Sequence, residues 1–195
     1  KEGLEEPGDS DFVAEVHGAV LDAYRCPSSG MDERSPTGHG TSNYRICRGT
    51  NDNGDNSEVG VYPRDHNDYP NPTKMRDITD GTTNSIAIGE VESVPLRPGA
   101  GNWPVFYPDP DDSGNMNWPI WIGQRYNKTD VGFRTKSNNQ YQINTGSRNA
   151  AASQHPGGAQ FGMADGSTHF ISETIDRDIY EALGTRMNGE TATLP

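Results

Sequence analysis

The sequence predicts an α+β fold, with a small antiparallel β-sheet, short helices near both ends of the chain and long irregular loops. Three observations lead to this class. Asp165-Gly166 separates two short strand-like runs, which is typical of a β-hairpin. Other runs of β-branched and aromatic residues alternate with stretches rich in Gly, Asn, Asp and Pro. Gly (23) and Pro (14) are abundant among the 195 residues, whereas eight Tyr, five Phe and three Trp argue against disorder.

An apolar stripe at helical spacing marks the N-terminal segment. Ser10 or Asp11 can cap a helix there, and Pro27 prevents its continuation. The valines leave open a helix that leads into a short strand. The stripe consists of Phe12, Val13, Val16, Ala19, Val20, Ala23 and Tyr24.

Short strands are predicted in the middle of the chain. They are Asn43–Cys47, Val59–Tyr62 and Ser85–Glu90, with a weaker candidate at Tyr141–Ile143. Between the second and third of these, Asp77 can cap a single helical turn that ends at Asp80-Gly81.

The hairpin is predicted to join strands at 161–164 and 167–171 through a two-residue type I′ turn at Asp165-Gly166. Ala164 would then face Ser167, and Phe161 would face Phe170 on one side of the sheet. A C-terminal helix is expected over Glu173–Leu183, capped by Thr174 or Asp176, with Gly184 ending it in the αL conformation.

Two acidic segments admit a Ca²⁺ interpretation. Residues 51–58 crowd oxygen-bearing side chains around Gly54, although an exposed turn explains them better. Asp109, Asp111 and Ser113 match the first half of a calcium loop, but Ile120 occupies the position of its bidentate Glu. Calcium is therefore an open cofactor expectation at Asp109, Asp111 and Ser113.

The second of these segments belongs to a predicted variable insertion at about 94–136 within one domain of 1–195. The insertion holds Trp103, Trp118 and Trp121. These side chains could stack on sugar rings, or they could form the insertion's own core.

The charge of the chain limits its partners. A formal net charge of -12 argues against nucleic acid, because phosphate binding needs a basic surface. Nucleophile elbows, paired zinc-ligand motifs and phosphate loops are missing from the sequence, and its five histidines show no metal-ligand spacing. We therefore expect a protein that is not an enzyme.

Several separated blocks resemble the prepilin-type, processing-associated family best known from planctomycete bacteria. His155, nine residues and then Asp165-Gly166 resemble its H-x9-DG signature. The other blocks, in the expected order, are Tyr24–Ser28, Thr41–Tyr44, Arg76–Ile86 through Gly89-Glu90, and Ala182–Arg186 followed by Gly189-Glu190. The motif positions, whose implied role is structural, are His155, Asp165, Gly166, Asp77, Asp80, Gly81, Asn84 and Glu90.

The resemblance implies a pilin-like head of an exported protein, and it favours a strand near Tyr24–Cys26 as the continuation of the N-terminal helix. Members begin with a prepilin leader and a long hydrophobic helix, and residues 1–195 include neither. We expect that this helix was removed, by truncation or proteolysis, and that it anchors the full-length protein in a membrane. In an exported protein Cys26 and Cys47 would most simply form a disulfide, with two unrelated thiols as the alternative. His155 is expected to tether its Pro-Gly-Gly loop through the backbone or Asp165, and Glu90 to accept hydrogen bonds from loop amides or an arginine.

Two functions from different classes follow. The first is a non-catalytic pilin- or pseudopilin-like subunit at the cell surface or in the periplasm, with other subunits or envelope components as partners. The second is an extracellular carbohydrate- or solute-binding module, with glycans as partners through its tryptophans and with calcium as a cofactor.

Overall fold

The computed structural model describes a five-stranded sheet with short helical segments around it. Its strands are β1 (Tyr44–Cys47), β2 (Ile86–Glu90), β3 (Gly132–Phe133), β4 (Gly158–Met163) and β5 (Thr168–Ser172). The described residues are 16, 18–34, 38, 40–50, 59–62, 73–92, 132–147, 149–190, 192 and 194. This architecture confirms the predicted α+β class with a small sheet.

The sheet has the order β3-β1-β2-β4-β5, with β2 at its centre. All neighbouring strands are antiparallel except β1 and β3, which are parallel. Tyr44 pairs with Glu90 and Arg45 with Gly89. Because side chains alternate along a strand, Tyr44 and Glu90 share one face of the sheet, and Cys47 lies on the other.

The core lies on the face that carries Phe133 and Phe161. Phe161 makes edge-to-face contacts with Phe133 and Tyr180, at ring-centroid distances of 5.9 and 6.0 Å. Gly89 lies beneath these rings, where an added Cβ would come within 2.7 Å of Phe133 and 2.8 Å of Phe161. Glycine at 89 therefore lets the two aromatic rings pack directly on the centre of the sheet.

The hairpin forms as predicted, but its predicted register and turn type are wrong. Phe161 pairs with His169, so Phe161 is 1% exposed while Phe170 is 48% exposed. The Gly166 amide donates to the Met163 carbonyl at 3.0 Å, and Gly166 has φ +90°. Asp165 does not have positive φ, so the loop is the three-residue kind with a left-handed glycine, and this shifts the register by one residue.

The C-terminal helix spans Arg177–Leu183 and begins later than predicted. The Asp176 side chain caps it by accepting from the amides of Asp178 and Ile179. Gly184 is in αR with φ -84°, so the predicted αL conformation is wrong. A Cβ at Gly184 would lie 1.7 Å from Thr135 Oγ1, so glycine is needed there for close packing.

Two predicted strands are not strands. Tyr141–Ile143 consists of turns. Val59–Tyr62 runs beside the end of β1, where the Tyr62 amide donates to the Cys47 carbonyl at 3.2 Å, but the chain bends at Gly60. An added Cβ on Gly60 would lie 2.3 Å from the Arg48 carbonyl carbon, so the backbones at Gly60 and Arg48 lie in direct contact.

The short helical segments also differ from expectation. Asp22–Tyr24 is a 3-10 helix, so the strand alternative near Tyr24 is wrong. Met75–Asp77 is a 3-10 helix that Asp77 closes, with its carboxylate accepting from the Lys74 amide at 2.8 Å, whereas Asp77 was expected to begin a turn. The start of the predicted N-terminal helix lies outside the described residues. Among the described residues, no helix has the length and apolar character needed to cross a membrane.

Candidate functional site

Three potentially reactive side chains meet near the end of the central strand. Glu90 is the last residue of β2, Cys26 follows the 3-10 helix Asp22–Tyr24, and His155 lies in the loop before β4. One donor atom from each lies within 4.8 Å of the other two. Within the part of the chain that the structure describes, this trio is the group whose side chains could hold a metal ion.

Glu90 is the buried member of the group, with an exposed fraction of 3%. Its Oε2 accepts the Gln160 amide of β4 at 2.7 Å, which fixes the carboxylate against the neighbouring strand. Its Oε1 lies 3.3 Å from His155 Nε2. One carboxylate oxygen thus accepts a hydrogen bond from a main-chain amide of β4, and the other oxygen faces the imidazole.

Cys26 is half-buried, and a hydrogen bond to its backbone amide fixes its position. Its amide donates to Asn43 Oδ1 at 2.9 Å, and the Asn43 amide donates to the Tyr24 carbonyl at 2.8 Å. The thiol lies 3.6 Å from His155 Nε2 and 3.0 Å from Ser28 Oγ. These contacts join two chain segments that are 129 residues apart in the sequence.

His155 approaches the group from the loop that connects Ser153 to β4. The Ser153 hydroxyl accepts the His155 amide at 3.0 Å and so orients the start of the loop. The imidazole side chain is 32% exposed, so one edge of the group faces solvent.

Two more titratable groups surround the three. Burial raises the pKa of Tyr44, and the neighbouring Cys26 and Glu90 raise it further. Burial also raises the pKa of Glu92, hydrogen bonds from Ser29 and Gln154 oppose that rise, and the Glu90 charge adds to it. Two further acidic groups, the Tyr44 hydroxyl and the Glu92 carboxyl, therefore lie beside the group in partly buried positions.

The contacts of the imidazole decide which chemistry the group favours. In a nucleophile–histidine–acid triad, the nucleophile and the acid contact opposite ring nitrogens: one nitrogen takes the proton of the nucleophile, and the acid orients the ring through the other. Here the Cys26 thiol and the Glu90 carboxylate both approach Nε2. Sulfur, nitrogen and oxygen donors therefore point toward one region of space, which is unlike the arrangement of a catalytic triad.

The chain was compared with known proteins. Residues 3–178 match the family described as "Protein of unknown function (DUF1559)", to which the planctomycete prepilin-like proteins belong. The chain belongs to the DUF1559 family. No curated protein and no solved structure shows a significant match to it. The match confirms the family expected from the separated blocks of resemblance.

Another cluster joins DUF1559 residues from the middle and the end of the chain. The Asp80 carboxylate accepts from the amides of Asn188 and Gly189, both at 2.9 Å, and from the Thr185 hydroxyl at 3.3 Å. The Asp80 amide in turn donates to the Arg186 carbonyl at 3.2 Å. Asp80 thus attaches the C-terminal segment to the loop before β2.

Gly81 and Asn84 shape the same loop. Gly81 has φ +98°, which favours glycine, and its carbonyl accepts the Asn84 amide at 3.0 Å. The Ser85 hydroxyl donates to the carbonyls of both Gly81 and Thr185, at 3.1 and 3.0 Å. These bonds close the turn and connect it to the C-terminal segment. Asp77 lies at the other end of the loop, and its Oδ1 is 3.7 Å from the Arg76 side chain.

The hairpin tip of this DUF1559 protein is separate from the three-residue group. Asp165 accepts from the Ser167 hydroxyl at 2.7 Å and from the Ser167 amide at 2.9 Å, and these bonds lower the pKa of its carboxyl. His169 Nε2 lies 3.2 Å from the same hydroxyl. The His155 imidazole contacts Cys26 and Glu90, so the expected alternative of a hydrogen bond to Asp165 is wrong.

The predicted disulfide is wrong, because both cysteines are free. Cys47 lies on the core face of β1, where its thiol donates to the Gly184 carbonyl at 3.8 Å. Cys26 contacts His155, which in turn contacts Glu90 on the opposite face. The sheet therefore separates the two thiols.

The remaining predicted site residues lie outside the described residues. They are the calcium candidates Asp109, Asp111 and Ser113 and the ligand-binding candidates Trp103, Trp118 and Trp121.

The grouping of Cys26 with Glu90 and His155 was not predicted. Each of the three residues lies within a block of family resemblance, and this shared property is the sequence signal from which their proximity could have been predicted.

Proposed function

We propose that this DUF1559 protein is the head of a pilin- or pseudopilin-like subunit on the outer side of the bacterial membrane. It would be anchored through an apolar N-terminal helix of the kind that the resembled family carries. Its partners would be other such subunits or components of the cell envelope, and its contribution would be a stable surface, without catalysis.

The observation that carries this proposal is that the family-resembling blocks serve as ties between distant chain segments. Asn43 holds the backbone at Tyr24 and Cys26: its amide donates to the Tyr24 carbonyl, and its side-chain oxygen accepts from the Cys26 amide. Asp80 holds the C-terminal segment, and the Asp165 amide donates to the Thr82 carbonyl at 3.1 Å. Residues that fix a scaffold fit a subunit whose shape is its function.

The geometry at Cys26 also supports a role without catalysis. In a cysteine–histidine–acid triad, the thiol contacts one ring nitrogen of the histidine, which acts as the base, and the orienting acid contacts the other. Because both partners approach His155 Nε2, the group lacks that division of roles.

Immunogold labelling tests the location. Antibodies raised against residues 1–195 are applied to intact and permeabilised cells of the bacterium that encodes the protein, with a cytoplasmic protein as the control. We expect intact cells to be labelled and the cytoplasmic control to appear only after permeabilisation. Labelling confined to permeabilised cells would overturn display at the cell surface, and labelling that coincides with the cytoplasmic control would overturn the periplasmic location as well.

Cross-linking in living cells tests the assembly. A membrane-impermeant amine cross-linker should convert the protein into a ladder of oligomers or into complexes with envelope proteins. A monomer that stays uncross-linked at the cell surface would contradict the subunit role and leave a displayed monomeric domain.

A further inference from the structure

We propose that Cys26, Glu90 and His155 form a binding site for a zinc-like divalent cation. The cation would be held by Cys26 Sγ, His155 Nε2 and a Glu90 oxygen. This inference does not depend on the proposed surface role, because it rests only on the arrangement of the three side chains.

Two of the three distances between the donor atoms are those of a tetrahedral zinc site, and all three atoms lie within 4.8 Å of one another. Zinc bonds of about 2.3 Å to sulfur and about 2.0–2.1 Å to nitrogen and oxygen put tetrahedral sulfur and nitrogen ligands about 3.5–3.6 Å apart, and nitrogen and oxygen ligands about 3.3–3.4 Å apart. Cys26 Sγ lies 3.6 Å from His155 Nε2, and Nε2 lies 3.3 Å from Glu90 Oε1. A cation placed between the three atoms would therefore need little movement of the protein.

The chemistry of the donors selects the cation. Thiolate and imidazole are ligands for zinc and related transition metals, whereas Ca²⁺ and Mg²⁺ require oxygen ligands. A thiolate, a carboxylate and a neutral imidazole carry two negative charges, which a divalent cation balances. The resulting site is electrically neutral, which suits the buried Glu90 carboxylate.

Hydrogen bonds from neighbouring residues already fix the positions of the three ligands, as they do in metal sites. The Gln160 amide binds the distal oxygen of Glu90, the Asn43 amide oxygen holds the Cys26 backbone, and the Ser153 hydroxyl holds the His155 backbone. Because the His155 side chain is 32% exposed, solvent or a small solute can supply the fourth ligand. The bound cation would join the segment at residue 26, the central strand and the loop before β4.

Cobalt substitution and zinc titration test the site in the full chain. The protein is reduced, freed of metal with a chelator and titrated with Co²⁺ and, separately, with Zn²⁺ by calorimetry. We expect one ion per chain, a thiolate-to-cobalt charge-transfer band with tetrahedral ligand-field bands, and a higher melting temperature with Zn²⁺. Ca²⁺ should produce no change at this site.

Substitutions assign the ligands. Cys26→Ser should abolish the charge-transfer band, and both Cys26→Ser and His155→Gln should weaken zinc binding by more than about 10–100-fold. His169→Gln is the matched control, because His169 contacts Ser167 at the hairpin tip, and it should bind zinc like the unmodified chain. Glu90→Gln should also weaken binding; if that buried substitution prevents folding, the variants at 26 and 155 decide the question.

Two results would overturn the proposal. One is the absence of stoichiometric Zn²⁺ binding and of the charge-transfer band in the unmodified, folded chain. The other is binding that survives Cys26→Ser and His155→Gln, or that His169→Gln abolishes, since either would place the cation elsewhere.

Discussion

The two cysteine thiols differ in reactivity because they lie on opposite faces of the sheet and in different surroundings. Cys47 is fully buried on the core face, and burial raises the pKa of its thiol to about 12. Cys26 is half-buried and lies between a serine hydroxyl and an imidazole. Because the thiolate is the reactive species, the protein should contain one inert and one accessible thiol.

Thiol titration measures this difference. At about pH 8, a disulfide-exchange reagent should react with one thiol of the native, metal-free protein, and peptide mapping should identify it as Cys26. Cys47 should react only after unfolding, because it is both buried and protonated. If neither thiol reacts in denaturant until a reductant is added, the cysteines are joined and the assignment of free thiols fails.

Asp80 is the residue on which the attachment of the C-terminal segment depends. Asp80→Ala removes the acceptor for two amides and one hydroxyl. We expect the free energy of unfolding to fall by about 1–2 kcal/mol, the lower part of the range for bonds to charged groups, because water can reach these amides. Urea denaturation measures the loss.

The matched control for Asp80 is Asp32→Ala at an exposed aspartate, which should change the free energy of unfolding by less than about 0.5 kcal/mol. Equal losses in the two variants would mean that the Asp80 bonds contribute nothing measurable.

Among the secondary-structure elements, the β4–β5 hairpin depends on one glycine. Gly166 has φ +90°, and a Cβ there would meet nothing within 4 Å, so Gly166→Ala tests backbone conformation alone. The expected destabilisation is about 1–2 kcal/mol, the cost of a left-handed conformation for an L-residue. Thermal melting followed by circular dichroism gives the value.

Gly162→Ala serves as the comparison for Gly166→Ala. Gly162 lies in β4 without a positive φ, and its added Cβ would make an ordinary contact with Ile88 at 3.9 Å. This variant should be as stable as the unmodified chain or slightly more stable, because alanine loses less entropy in a strand. Similar losses at 162 and 166 would contradict the turn assignment.

The hairpin also shows how far the sequence determines the elements. Asp165-Gly166 predicts the turn, and the flanking residues predict the strands, because both signals are local. The register depends on whether Asp165 or only Gly166 adopts positive φ, and both choices suit the same two residues. β3 has only two residues, which are too few for a periodic pattern, and it pairs with β1 from a distant part of the chain. The sequence therefore does not predict it.

The same limit applies to the candidate site. The family resemblance selected His155 and Glu90 individually, and cysteine pairing assigned Cys26 to Cys47. The meeting of Cys26 with Glu90 and His155 depends on the order of β1, β2 and β4 in the sheet, which local patterns do not encode. Alternation along β1 places Cys47 on the opposite face from Tyr44, so the topology excludes the pairing that composition favoured.

At the scale of the whole molecule, acidic side chains near the end of β2 make stability depend on pH. The folded-state pKa of Glu92 is raised above its ordinary value of 4.5, so the folded protein holds this proton to a higher pH than the unfolded chain. The contribution of protonated Glu92 to the free energy of unfolding is fully present below pH 4.5, and it is lost as pH rises through the raised folded-state pKa.

Glu92→Gln should therefore be more stable than the unmodified chain at pH 7, with the difference shrinking toward pH 4. Melting temperatures across this range measure the difference, and exposed Glu33→Gln is the control that should show little pH-dependent change. A Glu92→Gln protein that is less stable than the unmodified chain by the same margin at every pH would contradict the raised pKa.

The parallel pairing of β1 with β3 also bears on how this protein can diversify. Ile88, Ile46 and Gly132 lie level across the sheet, so the chain leaves β2 and enters β3 from the same end, about two strand spacings or roughly 10 Å apart. Grafts of different lengths can therefore span this gap at similar cost in closure entropy, because each doubling of the length of a flexible connection costs only about 0.6 kcal/mol. A short flexible graft in place of residues 93–131 should yield the five-stranded support alone.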